Sequence, residues 1–160
     1  MEEKPKKIFT REQAYKKAQD YCAYQERCQQ EVRDKLYYWG LHSEDVENLI
    51  AMLITEGFIN EERFAKIFAG GKFRIKRWGK VKIINELKLR KISKYCINKA
   101  MEEIGHKEYM KSLSDLIEKK AKEIKEKNQY KKFNKVATYA ISRGYEREMV
   151  WDLLKEKFEI

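Results

Sequence analysis

Apolar residues recur at helical spacing along almost the whole chain. Val46, Leu49, Ile50, Leu53 and Ile54 form a stripe of period 3.6, and Gly57 follows it. Such a glycine ends a helix readily, because it tolerates the left-handed conformation just past the last turn. Upstream, Thr10-Arg-Glu-Gln13 fits a capping box and opens a helix over 11–24. A second helix is predicted over 29–39, ending at Gly40, and a third over 44–56.

The same pattern returns twice. The segments starting at Leu36, Leu87 and Ala140 align without gaps, at offsets of 51 and 53 residues. Each reads as a helix end, then Gly40, Lys91 or Gly144, then Leu41, Ile92 or Tyr145, a polar cap and a new helix. Val32, Ile83 and Val136 lie four residues before the aligned positions, so each pair stacks on one helical face. In the second unit Asn60 caps a helix whose face carries Phe64, Phe68 and Ile75; a break falls near Trp78-Gly79; Ser93 caps a helix with Ile97, Ala100, Met101 and Ile104, stopped by Gly105. The third unit opens with a longer helix over 107–127. The reading is all-α: three tandem three-helix repeats, 10–58, 59–105 and 106–160, behind a disordered tail, 1–9. A unit of this size buries only a thin core alone, so neighbours must lean on one another in an elongated, curved body.

Composition fits that reading. With a single proline, Pro5, in 160 residues, the turn signals of a β-sandwich are missing. No uncharged apolar run is long enough to span a bilayer, and no signal sequence is visible, which places the protein in the cytoplasm. Cys22, Cys28 and Cys96 are odd in number and form no C-x-x-C pair; with only His42 and His106 beside them, neither a disulfide framework nor a zinc site is expected. His42 sits in an inter-helix turn and reads as a cap or surface group.

Enzyme motifs fail. Gly70-Gly71-Lys72-Phe73 resembles the end of a phosphate loop, but Lys66 and Phe73 stand where glycine and Ser/Thr are required. The acidic pairs Glu61-Glu62 and Glu102-Glu103 sit at helix ends, as dipole partners do. No catalytic set and no cofactor is expected.

Charge changes the picture most. The chain carries +10 overall; residues 1–60 carry −2, 61–94 carry +9 and 95–160 carry +3. Within 72–94, Lys72, Arg74, Lys76, Arg77, Lys80, Lys82, Lys88, Arg90, Lys91 and Lys94 face one acid, Glu86. Three readings compete: a solvated surface, contact with nucleic-acid phosphate, and docking on an acidic protein or a protein–DNA filament that shows both. Trp78, inside the block, is a base-stacking or interface candidate. A helix-turn-helix base reader is a rival class, but the block is lysine-rich and spans two helices, which suits backbone contact better than base reading.

Specific strings then resemble a family. Gly57-Phe58-Ile59-Asn60-Glu61-Glu62-Arg63-Phe64-Ala65, Arg77-Trp78-Gly79 with Ile83-Ile84-Asn85-Glu86-Leu87, and Arg27 to Leu36 are similar to stretches of the bacterial RecX regulatory proteins. The resemblance covers about residues 10–158. Cys28 stands where that family has serine, and Lys91 where it has glycine. The resemblance implies a non-enzymatic modulator of the RecA recombinase. It would be a monomer with no membrane contact, lying in the groove of the RecA–single-stranded DNA filament. There it would damp strand exchange, ATP hydrolysis and co-protease activity in DNA repair and the SOS response. The cations Lys72, Arg74, Lys76, Arg77, Lys80, Lys82, Lys88, Arg90 and Lys91 would carry the electrostatic contact. Tyr37, Tyr38, Trp39 and Trp78 are candidate anchors. The alternative is a stand-alone DNA-binding or architectural helical protein.

Overall fold

A computed structural model describes residues 8–159. Among them lie nine helices and no strand: α1 Arg11–Tyr24, α2 Gln29–Tyr38, α3 Ser43–Thr55, α4 Glu61–Arg74, α5 Lys80–Leu89, α6 Lys94–Glu102, α7 His106–Glu123, α8 Gln129–Ser142 and α9 Arg147–Phe158. Most of the expected tail lies outside the described residues; of its last two, Phe9 donates its N–H to the Trp39 carbonyl at 3.0 Å.

Local chemistry starts several helices. Thr10 Oγ1 accepts from the Gln13 N–H at 3.2 Å, and the Gln13 side chain accepts from Thr10 at 3.0 Å, closing the capping box. Asn60, Ser93 and Asn128 cap α4, α6 and α8 through their side chains. Three glycines, Gly40, Gly57 and Gly144, adopt positive φ in turns between helices.

Every helix packs chiefly on the two others of its own triplet, which yields three tandem bundles. The stacked pairs Val32/Leu36, Ile83/Leu87 and Val136/Ala140 are each fully buried. Ile75 departs from the face expected for it. It follows the last residue of α4 and is 79% exposed, while Phe64 is buried and Phe68 half-buried.

The cores are unequal. The first unit buries its own cluster, from Ala14 to Ile59. The second and third share one continuous core, which Cys28 enters from the first.

The shared core has a polar seam. α5 has no side-chain cap of its own. Its first N–H groups are met by the third unit instead: Gly79 donates to the Arg143 carbonyl at 2.8 Å and Val81 to the Gly144 carbonyl at 2.9 Å. Between them, Lys80 donates its N–H to the Tyr109 hydroxyl at 3.0 Å. Tyr109 Oη in turn donates to Glu146 at 2.8 Å, and Tyr145 shares a hydrogen bond with Ser112 at 3.0 Å. Orphan donors of one unit are thus satisfied by the next, which fixes how the two units join. The first joint is ionic: Arg63 Nε lies 2.5 and 2.9 Å from the Glu26 carboxylate oxygens, and its other nitrogen donates to the Gly57 carbonyl at 3.0 Å.

Candidate nucleic-acid and protein interface

The basic block occupies the end of α4, the turn to α5, α5 itself and the turn beyond it. Folding sorts its cations into three groups.

Two are neutralised internally. Arg74 pairs with Glu108 at 3.1 Å and also donates to the Glu103 carbonyl. Arg90 pairs with Glu86 at 2.9 Å, lies 3.9 Å from Glu31 and covers the Phe68 ring at 4.6 Å. Both hold units or turns together.

Three lysines rest on aromatic rings. Lys72 and Lys82 place their ammonium groups 4.9 and 4.4 Å from the Trp78 ring centre, and Lys80 lies 4.7 Å from that of Tyr109. Such contacts are worth roughly 0.5–1 kcal/mol at exposed sites. They hold the ammonium groups near the surface without cancelling their charge. Trp78 is half-buried against the shared core, so its ring is a support for lysines more than a free stacking platform.

The remaining five, Lys76, Arg77, Lys88, Lys91 and, at the start of α6, Lys94, are exposed and have no carboxylate within 4.0 Å among the described residues. Arg77 and Lys91 both adopt left-handed backbone, with φ of 59° and 58°. Lys91 does so at the position where Gly40 and Gly144 stand in the other units.

Apolar surface adjoins these charges. Ile67 is 55% exposed and Ile75 79%. With Phe64, Phe68 and Gly71 they line a groove of about 430 Å³ between the first and second units; Lys72, Lys76 and Arg90 are also at its walls, as are Glu26, paired with Arg63, and Glu31, near Arg27 and Arg90. On α5, Val81 and Leu89 are exposed too. Ile67 and Leu89 escaped notice in the sequence. Leu89 lies two residues past Leu87, off the Ile83/Leu87 stripe, and that offset was the available signal. Of the aromatic run in the first unit, Tyr37 and Tyr38 are exposed, whereas Trp39 packs edge-on against Phe9 and Tyr21.

Two of the three thiols, Cys22 and Cys28, are buried, and Cys96 is half-buried. Burial pushes the Cys22 and Cys28 thiols up to about 11 and about 12. Burial also drives the Tyr109 hydroxyl well above its ordinary range. Tyr145 is raised by burial, its bond with Ser112 and the nearby Arg77 and Arg143 guanidiniums pulling the other way. Among the described residues no His/Cys/Asp/Glu group converges as a metal site, and no helix is long and apolar enough to cross a membrane.

Three family models match in chain order: the first, second and third three-helix domains of RecX, over residues 14–53, 60–101 and 107–154. Curated relatives are named regulatory protein RecX. That of Bacillus cereus (strain B4264) is 24% identical over 145 residues, 91% of this chain and 54% of its own. That of Clostridium tetani is 29% identical over 132 residues, 81% of this chain and 60% of its own. The chain therefore spans little more than half the length of the curated relatives it matches. Among solved structures, the crystal structure of RecX from Lactobacillus salivarius superposes with a TM-score of 0.83 at 23% identity, covering 94% of this chain and 97% of that one. A second, of a regulatory protein RecX, gives 0.83 at 19% identity, over 91% and 73%. These two likenesses bear on the fold alone.

Proposed function

The chain belongs to the RecX family, and from that premise we propose that it is a non-enzymatic regulator of the RecA recombinase, bound along the filament that recombinase forms on single-stranded DNA. One observation carries the proposal: the second unit displays aliphatic side chains and acid-free cations on one continuous stretch of chain. Ile67 and Ile75 adjoin Lys72 and Lys76 in the same groove. A filament offers both partners at once. Its protein surface takes up apolar side chains, and its DNA phosphates attract lysine and release counterions.

The regulation follows from shape. An extended row of units lies across successive recombinase protomers, so occupancy at one protomer obstructs the next. Growth is blocked or loss promoted, and strand exchange, ATP hydrolysis and co-protease activity fall with filament integrity. Lys76, Arg77, Lys88 and Lys91 supply long-range attraction; Lys72, Lys80 and Lys82 act as oriented surface charges; Arg74 and Arg90 keep the units in register.

The rival is a DNA-binding protein with no protein partner. Binding of the purified chain to naked single-stranded DNA, compared with binding to the recombinase-coated strand, separates the two. Tighter binding to the coated strand supports the regulator. Equal binding to both supports the rival.

A further inference from the structure

A second cationic feature lies at the joint of the second and third units, built mostly from residues outside the basic block. A cleft of about 300 Å³ opens there. Arg77 enters it from the α4–α5 turn, Lys119 and Lys120 from α7, and Arg143 from the end of α8. Its two acids are already engaged: Asp115 with Lys111 at 3.6 Å and Glu123 with Lys120 at 3.7 Å. Lys120 also covers the Tyr139 ring at 4.2 Å. Arg77, Lys119 and Arg143 have no carboxylate within 4.0 Å among the described residues.

Two details set the arginines of this cleft apart. The Arg143 Nε–H is buried and has no acceptor, although another nitrogen of the same guanidinium donates to the Lys76 carbonyl. A buried donor left unmet is penalised by its lost hydration. Arg77 holds a left-handed backbone that disfavours any residue with a Cβ. Asn or Gly would fit that turn better, and an arginine there sets its guanidinium beside the same wall as Arg143. Arg77 and Arg143 both line this cleft, and guanidinium groups bind phosphate oxygens in bidentate fashion.

We propose that this cleft is a phosphate-binding site, in which Arg77 and Arg143 grip one phosphate group and Lys119 adds charge at the rim. The phosphate belongs either to a nucleic-acid backbone or to a free nucleotide. The site does not depend on the recombinase reading, because it concerns the chain alone.

The test uses the full-length protein labelled with ¹⁵N. The Arg143 Nε–H resonance, assigned by its loss in Arg143→Lys, is followed during titration with inorganic phosphate, with ADP and with a thymidine 20-mer at low salt. In parallel, 20-mer affinity is measured against salt for the parent and for Arg77→Gly/Lys119→Gln. Both substitutions suit exposed positions, and glycine fits the Arg77 backbone. A saturable shift with the 20-mer, together with a salt slope shallower by about 0.7 in the double variant, assigns the cleft to backbone phosphate. A saturable shift with phosphate or ADP and an unchanged 20-mer slope assigns it to a free nucleotide. No shift with any of the three overturns the proposal whatever the slope does, because Arg77 also belongs to the basic block and its loss alone can flatten the slope. None of these readings uses recombinase, so failure here is distinct from failure of the regulator assignment.

Discussion

Gly79 and Gly144 lie back to back at the joint of the second and third units. A Cβ on Gly79 would come within 2.3 Å of the Gly144 carbonyl carbon and oxygen, and a Cβ on Gly144 within 2.4 Å of Lys82 Cβ. Neither obstacle is the mobile end of a side chain. The hydrogen bonds from Gly79 and Val81 to the Arg143 and Gly144 carbonyls exist because both positions lack a side chain. Gly79→Ala and Gly144→Ala should each destabilise the protein by about 3 kcal/mol. Gly57→Ala is the control. Gly57 has a φ of 80° but open space around it, so only backbone strain applies, about 1 kcal/mol. Thermal or urea unfolding of the three variants gives the order, and a Gly57→Ala cost equal to the other two would contradict the packing argument.

Lys91 presents the opposite case. It holds a φ of 58° where the other two units use glycine, and its side chain is exposed. Lys91→Gly removes the left-handed strain but enlarges the freedom of the unfolded chain, so a net gain of about 0.5 kcal/mol is expected. The same variant should weaken filament binding, since it also removes an acid-free cation. Stability and binding would move in opposite directions, which a purely structural lysine would not produce.

Glu61 gives a pH signature. It opens α4, one carboxylate oxygen is buried without a partner, and burial raises its pKa above the ordinary 4.5, with the Gln29 N–H and Arg33 pulling it partly back. A raised pKa in the folded state means that the fold prefers the neutral acid. The contribution of Glu61 to stability is therefore complete below pH 4.5 and diminishes as the pH rises from there through the raised value. In Glu61→Gln that loss disappears. Unfolding measured from pH 4 to 7 should show the variant gaining on the parent as pH rises, and a constant difference across that range would count against the assignment.

The cations should separate by role. Lys76→Glu with Lys88→Glu should leave the melting temperature nearly unchanged, since neither lysine has an internal acid partner. Filament binding should fall at least tenfold at low salt and less at high salt. Arg90→Ala should behave in reverse order: it removes the pair with Glu86 and the cover over Phe68, at a cost of about 1 kcal/mol to stability. Circular dichroism melts beside filament co-sedimentation measure both.

How much of this was legible in the sequence depended on range. Helices and their starts were, because Thr10, Asn60 and Ser93 act on N–H groups three residues away. The spacing predicts a helix over 107–127, but α7 stops at Glu123, Ile124 turns to extended backbone, and Asn128 caps α8. Gly105, expected to stop α6, instead precedes α7 with a negative φ as its N-cap residue. The triplet pattern and its buried pairs were legible because one period repeats. What stayed hidden was long range. The acids that neutralise Arg74 and Arg90 include Glu108 and Glu31, in neighbouring units, so a count of local charge could not tell engaged cations from free ones. The Gly79/Gly144 contact joins positions 65 residues apart, and Arg143 and Lys119 were invisible as partners of Arg77 for the same reason.

The central claim is most directly tested by the ATPase of the recombinase on single-stranded DNA, titrated with this protein. The account predicts that hydrolysis falls progressively as the protein approaches filament-saturating amounts, and that Lys76→Glu/Lys88→Glu needs at least tenfold more protein to reach the same fall at low salt. Hydrolysis unchanged at full coverage would contradict it.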